Sequence, residues 1–225
     1  MIIKNFMSEN SIARAITAIM IVAILSFLFF YCPPIIFSIV LFFMMCIMII
    51  ELKNMMPLSI KFFTLVPLYP ILPCIILIYF NQSPQYKILL YYLFLIVFSF
   101  DSACYLTGKI YSKFWNSTKI IPSISPGKSW EGFFGGYIIT TSLLLIIMKL
   151  QNKNFTWDSI LLSTIICIIA FAGDIFESYL KRSANVKDSG TILPGHGGLL
   201  DRFDSILAVT IFFFFFKNDL IRFFN

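Results

Sequence analysis

The sequence is poor in charged residues. Only 12% of its 225 residues are Asp, Glu, Lys or Arg, about half the share of a soluble globular domain, whereas 59% are hydrophobic and the mean hydropathy is +0.90. This composition excludes a soluble globular domain. It predicts a polytopic membrane protein.

Histidine and paired cysteines are also scarce. His196 is the single histidine, and the five cysteines are scattered through apolar segments without a CxxC pair. A zinc site needs several nitrogen or sulfur ligands, so this inventory argues against zinc and favours cysteines buried as small hydrophobic residues. The first apolar stretch, which begins near Ile12, shows no small-residue cleavage site, and we expect a retained helix rather than a signal peptide.

Seven apolar windows have about the length that a helix needs to cross a bilayer. They cover residues 12–30, 34–50, 60–80, 86–104, 132–149, 158–177 and 201–216. The third contains Pro67, Pro70 and Pro73, so we expect it to be kinked or broken. The predicted fold class is all-α, an integral membrane helical bundle of about seven transmembrane helices, with eight or nine as the alternative count.

The basic residues predict the orientation of the chain. Alternation of seven spans places 12 of the 17 Lys and Arg residues on one side, together with the long polar loops 105–131 and 178–200. By the positive-inside rule this side is cytoplasmic, and the net charge of +6 fits a face that rests on anionic headgroups. We therefore expect a protein of the inner, cytoplasmic membrane whose site faces the cytoplasm.

Residues 173–205 concentrate charge in an otherwise apolar chain. A polar stripe at i, i+3, i+4 and i+7 opens this stretch, formed by Asp174, Glu177, Ser178 and Lys181. The stripe must face protein or water because ionisable groups are costly in lipid. We expect it to line one hydrated cavity with Asp101, which we place at the end of another span. An ordinary solvated loop is the alternative interpretation.

Two glycine-containing segments could bind an anion. Pro194–Gly198 contains three glycines that allow backbone amides to close around a ligand. Ser125-Pro126-Gly127-Lys128 is predicted to be a turn that starts the next helix and offers hydroxyls, amides and an ammonium. Many helices start with such a turn, so this segment alone is also compatible with an ordinary helix start.

The polar residues match the needs of a nucleoside triphosphate with Mg²⁺. The carboxylates are Asp174, Glu177, Asp188, Asp201 and Asp204, and the cations are Lys181, Arg182, Lys187 and Arg202. Carboxylate oxygens suit Mg²⁺, which bridges to substrate phosphates, and the cations suit those phosphates directly. An ion-pair network that braces two helices would explain the charges but not the glycine loop beside them.

Two regions resemble the phosphatidate cytidylyltransferase family, also called CDP-diacylglycerol synthases. One comprises Ser178–Arg182, Lys187–Gly190 and Leu193–Asp204, and the other comprises Asp101, Tyr105, Gly108, Lys109, Ser125-Pro126, Lys128 and Glu131-Gly132. The resemblance covers roughly residues 100–206, and the first hundred residues match only in hydropathy. It divides the single membrane domain, 1–225, into amino-terminal helices (1–100), a catalytic region with two cytoplasmic loops (101–206), and the last helix and tail (207–225).

The resemblance implies transfer of a cytidylyl group from CTP to phosphatidate in the membrane, with Mg²⁺, by a dimeric enzyme. The expected catalytic residues are Asp174, Asp201, Lys181, Arg182 and Arg202. The expected substrate-binding residues are Ser125, Lys128, Ser178, Lys187, His196, Gly197, Gly198 and Asp101. The expected Mg²⁺ ligands are Asp174 and Asp201, with Asp188 as a further candidate. The attacking phosphate oxygen is already anionic, so His196 is assigned no acid–base role.

Two other functional classes fit this sequence less well. A cation or nucleotide transporter would carry charges near the bilayer midplane in both halves, whereas here they cluster in the second half. A CDP-alcohol phosphotransferase would contain an Asp-Gly-x-x-Ala-Arg pattern, which this sequence lacks.

Overall fold

The computed structural model describes residues 23, 26–153, 157–192 and 197–224. Its elements are α1 (Pro34–Met55), α2 (Ile60–Val66), a π-helical turn (Pro67–Ile71), α3 (Leu72–Gln82), α4 (Lys87–Phe114), β1 (Lys119–Ile121), β2 (Ser125–Ser129), α5 (Trp130–Leu150), α6 (Trp157–Ser183), α7 (Leu200–Phe215) and α8 (Lys217–Phe224). Residues 26–31 are also helical. Helices dominate these ranges, which confirms the predicted all-α membrane bundle.

Within the part of the chain that the structure describes, five helices are long and apolar enough to cross a bilayer. They are Pro34–Met55, Ile60–Gln82, Lys87–Phe114, Trp130–Leu150 and Trp157–Ser183, and they confirm five of the seven predicted spans. The predicted window 12–30 falls mostly outside the described residues. The last window is a helix of 16 residues, shorter than the roughly 20 that a membrane crossing needs.

The second of these spans is interrupted as predicted. Ser59 caps its first segment by accepting a hydrogen bond from the amide of Phe62, and a π-helical turn follows over Pro67–Ile71. Pro67 and Pro70 lack the amide hydrogens that a regular helix would use, which accounts for the wider turn. The turn packs against α1 and α7, so its side chains reach the interior of the bundle.

Helix α7 lies at the centre of the bundle. It packs against α1, α3, α4 and α6, and Ile206, Leu207 and Phe213 are fully buried. The outer helices show the opposite pattern, since Phe42 and Phe43 on α1 are half exposed, as expected of side chains that face lipid. The acidic start of α7 is therefore held inside a ring of membrane helices.

The two polar loops meet on one side of the bundle. Between α4 and α5 the chain forms a small antiparallel hairpin of β1 and β2. Arg182, at the end of α6, donates a hydrogen bond from Nε to the carbonyl oxygen of Ile124 in this hairpin at 3.0 Å. This contact joins the two loops that the alternation of spans had assigned to the same face.

Candidate active site

A cavity of about 400 Å³ lies between α4, α6 and the hairpin, beside the start of α5. Asp101 and Asp174 both line it, so the predicted cavity shared by these two residues is confirmed. Its volume lies within the range of about 300–1,000 Å³ that is usual for small-molecule sites.

The position of Asp101 corrects one expectation. We expected this residue at the end of its span, but α4 continues for about four further turns to Phe114. Asp101 therefore lies near the middle of a long helix, and its Oδ1 accepts a hydrogen bond from the hydroxyl of Ser205 on α7 at 3.3 Å. The apolar window ends at residue 104 because the later part of α4 is polar, and a polar segment is predicted to be a loop.

Three lysines form a basic wall of the cavity. Lys109 comes from α4, Lys119 from β1 and Lys128 from β2, and the hydroxyls of Ser112, Ser125 and Ser129 line the same space. The Ser-Pro-Gly-Lys segment was predicted to be a turn, but it forms the strand β2. The helix then starts at Trp130, where the Ser129 hydroxyl accepts a hydrogen bond from the amide of Gly132 at 3.2 Å.

Lys128 and Asp174 form an ion pair at the cavity. Lys128 Nζ lies 2.8 Å from Asp174 Oδ2, and the two side chains are 15% and 36% exposed. The same ammonium lies 5.1 Å from the centroid of the Phe171 ring, within the distance of a cation–π contact. The hairpin therefore places a cation directly over the membrane helix that carries the predicted metal ligand.

Glycines let α4 and α5 approach closely enough to close this cavity. A β-carbon on Gly132 would lie 2.9 Å from the carbonyl oxygen of Cys104, and one on Gly136 would overlap the Cys104 sulfur. The Thr107 hydroxyl, which lies 2.7 Å from the carbonyl oxygen of Ala103 on α4, is also 3.1 Å from that of Gly132 on α5. This small-residue contact is typical of helix pairs in membranes, where close backbone packing replaces the hydrophobic effect.

The rest of the polar stripe belongs to a second cluster. Lys181 Nζ lies 2.5 Å from Glu177 Oε2 and 2.6 Å from Asp201 Oδ1. Glu177 and Lys181 do not line the cavity, which corrects the expectation that the whole stripe would do so. Ser178 is also buried, and its hydroxyl is 3.5 Å from Asp174 Oδ1. Residues of one stripe therefore contact different neighbours: Asp174 lines the cavity, whereas Lys181 binds Glu177 and Asp201.

Asp201 organises the glycine loop. Its Oδ2 accepts hydrogen bonds from the amides of Ser189 at 2.9 Å and Gly198 at 2.7 Å. Burial alone would raise the pKa of Asp201, but hydrogen bonds with Glu177, Lys181 and the Gly198 amide outweigh it and hold this pKa below its usual range. The amide of Gly198, which we expected to bind a ligand, therefore binds a carboxylate of the protein.

Glu51 was missed by the sequence analysis. It is 2% exposed at the end of α1, and its carboxylate accepts hydrogen bonds from the amides of Leu199 and Leu200, both at 2.8 Å, and from the Ser189 hydroxyl at 3.1 Å. It caps the start of α7, where a negative charge is favoured. The available signal was a lone carboxylate directly after the apolar window 34–50.

Asp204 is a second acid that was not assigned to the site. It is 6% exposed, and it lies within electrostatic range of Asp174, Asp101 and Glu177. Its Oδ1 accepts a hydrogen bond from the amide of Ser205 at 2.8 Å. The predicted i, i+3 pair of Asp201 and Asp204 thus places both acids on the central helix, one facing Lys181 and the other facing the cavity acids.

The remaining predicted residues are more peripheral. Arg182 is exposed and donates to the carbonyl oxygens of Ile124 and Val186, so in this structure it braces the loops. Lys187 and Asp188 are exposed on the loop after α6. Arg202 is exposed and within electrostatic range of Asp101. Gly197 has a φ of +81°, which favours glycine. His196 lies outside the described residues.

The predicted Mg²⁺ ligands do not form a cage. Across residues 26–153, 157–192 and 197–224 no three metal-ligating side chains converge, and Asp174 and Asp201 are paired with different lysines. Both nevertheless lie within electrostatic range of the buried Tyr69 hydroxyl, which has no hydrogen-bond partner among the described residues. Mg²⁺ commonly uses one or two carboxylates and keeps several waters, so these residues fit such an ion.

Comparisons with known proteins agree with the resemblance. The profile of the cytidylyltransferase family matches residues 9–218. The chain is 37% identical over 171 residues to a phosphatidate cytidylyltransferase of Haemophilus influenzae, a match that covers 73% of this chain and 58% of that protein. It is 30% identical over 223 residues to one of Rickettsia conorii, covering 96% of this chain and 95% of that protein. A third, from Bacillus subtilis, is 42% identical over 127 residues, 56% of this chain and 46% of that protein. None of these matches supports the transporter interpretation.

Proposed function

This chain belongs to the cytidylyltransferase family, and on that premise we propose that it transfers the cytidylyl group of CTP to phosphatidate, giving CDP-diacylglycerol and pyrophosphate. The observation that carries the proposal is the cavity that Lys109, Lys119 and Lys128 line together with Asp101 and Asp174. Three lysines and two acids in one cavity suit a polyphosphate and its counter-ion. The relatives named above carry the name of this activity.

The reaction joins two anions. A phosphate oxygen of phosphatidate attacks the α-phosphorus of CTP, a new P–O bond forms, the bond to the β-phosphate bridging oxygen breaks, and pyrophosphate leaves with the electron pair. The nucleophile is anionic near neutral pH, so the step needs no strong general base. The barrier lies in bringing the reactants together and in stabilising the charge that moves to pyrophosphate.

The lysine wall would supply much of that stabilisation. Lys128 is mostly buried and held by Asp174 and Phe171, so it is oriented before a phosphate arrives. Such preorganised cations stabilise developing charge more effectively than freely rotating ones. Ser125 and Ser129 line the same wall and can donate hydrogen bonds to phosphate oxygens.

Asp174 and Asp201 are the residues that would hold Mg²⁺. When bound, the ion would offset the negative charge of the phosphates as pyrophosphate leaves. Lys181 would keep Asp201 ionised and oriented, since its ammonium lies 2.6 Å from that carboxylate. Asp188, the further candidate ligand, is exposed on the loop after α6.

The lipid substrate sets where the site must lie. Each buried methylene of an acyl chain contributes about 0.8 kcal/mol to membrane binding, so phosphatidate must meet CTP at headgroup depth. Asp101 and Asp174 lie on membrane helices, whereas Lys119 and Lys128 come from the hairpin outside them. This arrangement supports a site open to both lipid and cytoplasm, and the distribution of basic residues supports the cytoplasmic face.

The test is direct. Purified protein in detergent is incubated with CTP, phosphatidate and Mg²⁺, and CDP-diacylglycerol and pyrophosphate are quantified. We expect equal amounts of both products from the wild type and essentially none from Asp174→Asn. Asp158→Asn is the matched control, because Asp158 is an exposed acid in the first turn of the same helix. A folded wild-type protein that forms neither product would refute the proposed function.

A further inference from the structure

The three lysines of the cavity come from two kinds of element. Lys119 and Lys128 belong to the hairpin, whereas Lys109 belongs to α4, a helix long and apolar enough to cross a bilayer. The reaction must bring two phosphate groups into this cavity, one dissolved in water and one anchored in the bilayer by acyl chains. A lipid phosphate stays beside membrane helices. The position of Lys109 on its helix therefore bears on which substrate it contacts.

Lys109 lies at the inner edge of the headgroup layer. Helix α4 has 28 residues, which is about 42 Å at 1.5 Å per residue and matches the roughly 40–45 Å of a bilayer with its headgroup regions. The exposed aromatic residues Phe114 and Trp115 stand at its end, as expected at the boundary between membrane and water. Lys109 lies about 8 Å before that end. The phosphate of a membrane lipid lies at a similar depth.

Lys109 also lies between two faces of α4. On one side of it Tyr105 and Ser112 line the cavity. On the other side Leu106 and Ile110 are each 54% exposed. With 3.6 residues per turn, the direction of Lys109 falls between these two pairs. Exposed apolar side chains of a membrane helix contact acyl chains. A lipid whose chains lie against Leu106 can therefore bring its phosphate to Lys109 without leaving the bilayer.

Tyr105 orients the Lys109 ammonium. Its hydroxyl accepts a hydrogen bond from Lys109 Nζ at 3.3 Å, and the same ammonium lies 5.4 Å from the centroid of the Tyr105 ring. Tyr105 is 64% exposed although it lines the cavity, so it stands at the rim. An ammonium and a phenol side by side can both donate hydrogen bonds to a phosphate. The amphipathic ring also suits the interface between acyl chains and water.

We propose that Lys109 and Tyr105 bind the phosphate of phosphatidate, whereas the hairpin lysines bind the triphosphate of CTP. The inference rests on the proposed function, which supplies the lipid substrate. The ligand is a phosphate carried by a lipid rather than free phosphate, because Lys109 lies at headgroup depth beside exposed apolar residues. The two reacting phosphates then enter the cavity from different sides, as attack on the α-phosphorus requires.

Lys109→Met tests the lipid subsite, because it removes the charge and keeps the length of the side chain. Thermal unfolding of detergent-purified protein is followed while phosphatidate is added to the micelles, without CTP or Mg²⁺. We expect the mole fraction of phosphatidate for half-maximal stabilisation to rise about ten- to a hundredfold, as for the loss of a charge-assisted hydrogen bond. Lys109→Arg should stay close to the wild type, because its charge is retained.

Two comparison ligands identify what is recognised. Diacylglycerol has the same chains without the phosphate, so its effect should be equal in the wild type and in Lys109→Met. Inorganic phosphate without lipid should not stabilise the wild type. Stabilisation by inorganic phosphate as strong as that by phosphatidate would make this a site for free phosphate and would contradict the inference.

Lys113→Met is the matched control, because Lys113 is exposed on the next turn of the same helix and does not line the cavity. This variant should keep the wild-type phosphatidate titration. In turnover assays Lys109→Met should raise KM for phosphatidate and leave KM for CTP unchanged. Lys119→Met, in the hairpin, should do the reverse.

An unchanged phosphatidate titration in Lys109→Met would overturn the inference, and so would an equal shift in Lys113→Met or a rise in KM for CTP alone. Turnover by the wild type is measured separately. If the wild type forms product while Lys109→Met binds phosphatidate normally, only the lipid subsite is lost. If the wild type forms no product, the proposed function fails, whether or not phosphatidate binding depends on Lys109.

Discussion

At the scale of single residues, Lys128 has the most specific surroundings of the cavity lysines. Its ammonium pairs with Asp174 at 2.8 Å and lies over the Phe171 ring. A lysine on a surface loop would lose much rotamer freedom on binding a phosphate. Lys128 has lost most of that freedom already, so its contact with a phosphate should contribute strongly to binding and to catalysis.

Replacing Lys128 with Ala should lower kcat/KM for CTP by roughly one to three orders of magnitude, since one or two charge-assisted contacts are lost. Steady-state kinetics at saturating Mg²⁺ and phosphatidate measure this effect. Lys149→Ala is the control, because Lys149 lies in the last turn of the same α5 that begins just after Lys128. Equal kcat/KM values for the two variants would show that Lys128 has no specific role in binding CTP or in catalysis.

At the scale of elements, the start of α7 depends on a residue almost 150 positions away. Leu199 and Leu200 donate their amides to Glu51, and the neighbouring Gly198 amide goes to Asp201. A β-carbon on Gly190 or Gly198 would lie 2.7 Å from a Glu51 carboxylate oxygen, so a side chain at either position would displace this carboxylate. Helix α1 thereby holds the loop that presents both acids of α7.

Glu51→Ala should destabilise the protein by about 2–6 kcal/mol, because two buried amides lose their acceptor at about 1–3 kcal/mol each. Hydrogen exchange followed by mass spectrometry should show faster exchange at Leu199 and Leu200. Glu51→Gln keeps one acceptor oxygen and should lie between Ala and wild type. If exchange in this segment is the same in all three proteins, Glu51 does not hold the helix start.

The contact between α4 and α5 depends on small residues. Gly136→Val should destabilise the bundle by about 1–3 kcal/mol, because the added side chain overlaps Cys104 and forces the two helices apart. The measurement is the thermal unfolding temperature in detergent. Gly127→Ala is the control for stability alone, since a β-carbon there meets nothing within 4 Å. If both variants unfold at the wild-type temperature, close α4–α5 packing is not required.

At the scale of the whole molecule, the polar groups are divided between two ends of the bundle. One end holds the hairpin, the loop after α6 and the start of α7. The other holds a separate set of contacts, among them Asn81 with Ser38 at 2.9 Å and Lys153 with the Phe223 carbonyl at 2.6 Å. Only the first end adjoins the cavity, so substrates dissolved in water should enter from one side of the membrane.

Cysteine accessibility in sealed vesicles tests this sidedness. Ser178, the position suggested by the polar stripe, is 7% exposed and unsuitable, whereas Ser125 lines the cavity. In a background without native cysteines, Ser125→Cys should react with a membrane-impermeant thiol reagent from the cytoplasmic side only. CTP with Mg²⁺ should protect it. Gln85→Cys, in the exposed turn between α3 and α4, should react from the opposite side. Reaction of both from one side would disprove the orientation.

The sequence alone determined the membrane class, five of the spans and the break at Pro67 and Pro70, because hydropathy and proline act locally along the chain. It also predicted that Asp101 and Asp174 share a cavity. It predicted the boundaries less well where polar residues continue a helix, as they do from Asp101 to Phe114.

Only the tertiary structure decided which charges meet. Periodicity assigned Glu177 and Lys181 to the same stripe as Asp174, but packing turned them towards Asp201 and left Asp174 to Lys128. Nothing local distinguishes Tyr69 from other residues of apolar helices, and the lone charge of Glu51 does not show which groups it binds. Their partners come from α7 and α6, and those contacts depend on how each helix is rotated and how closely it packs. A pattern confined to one segment cannot encode the rotation of that segment against another.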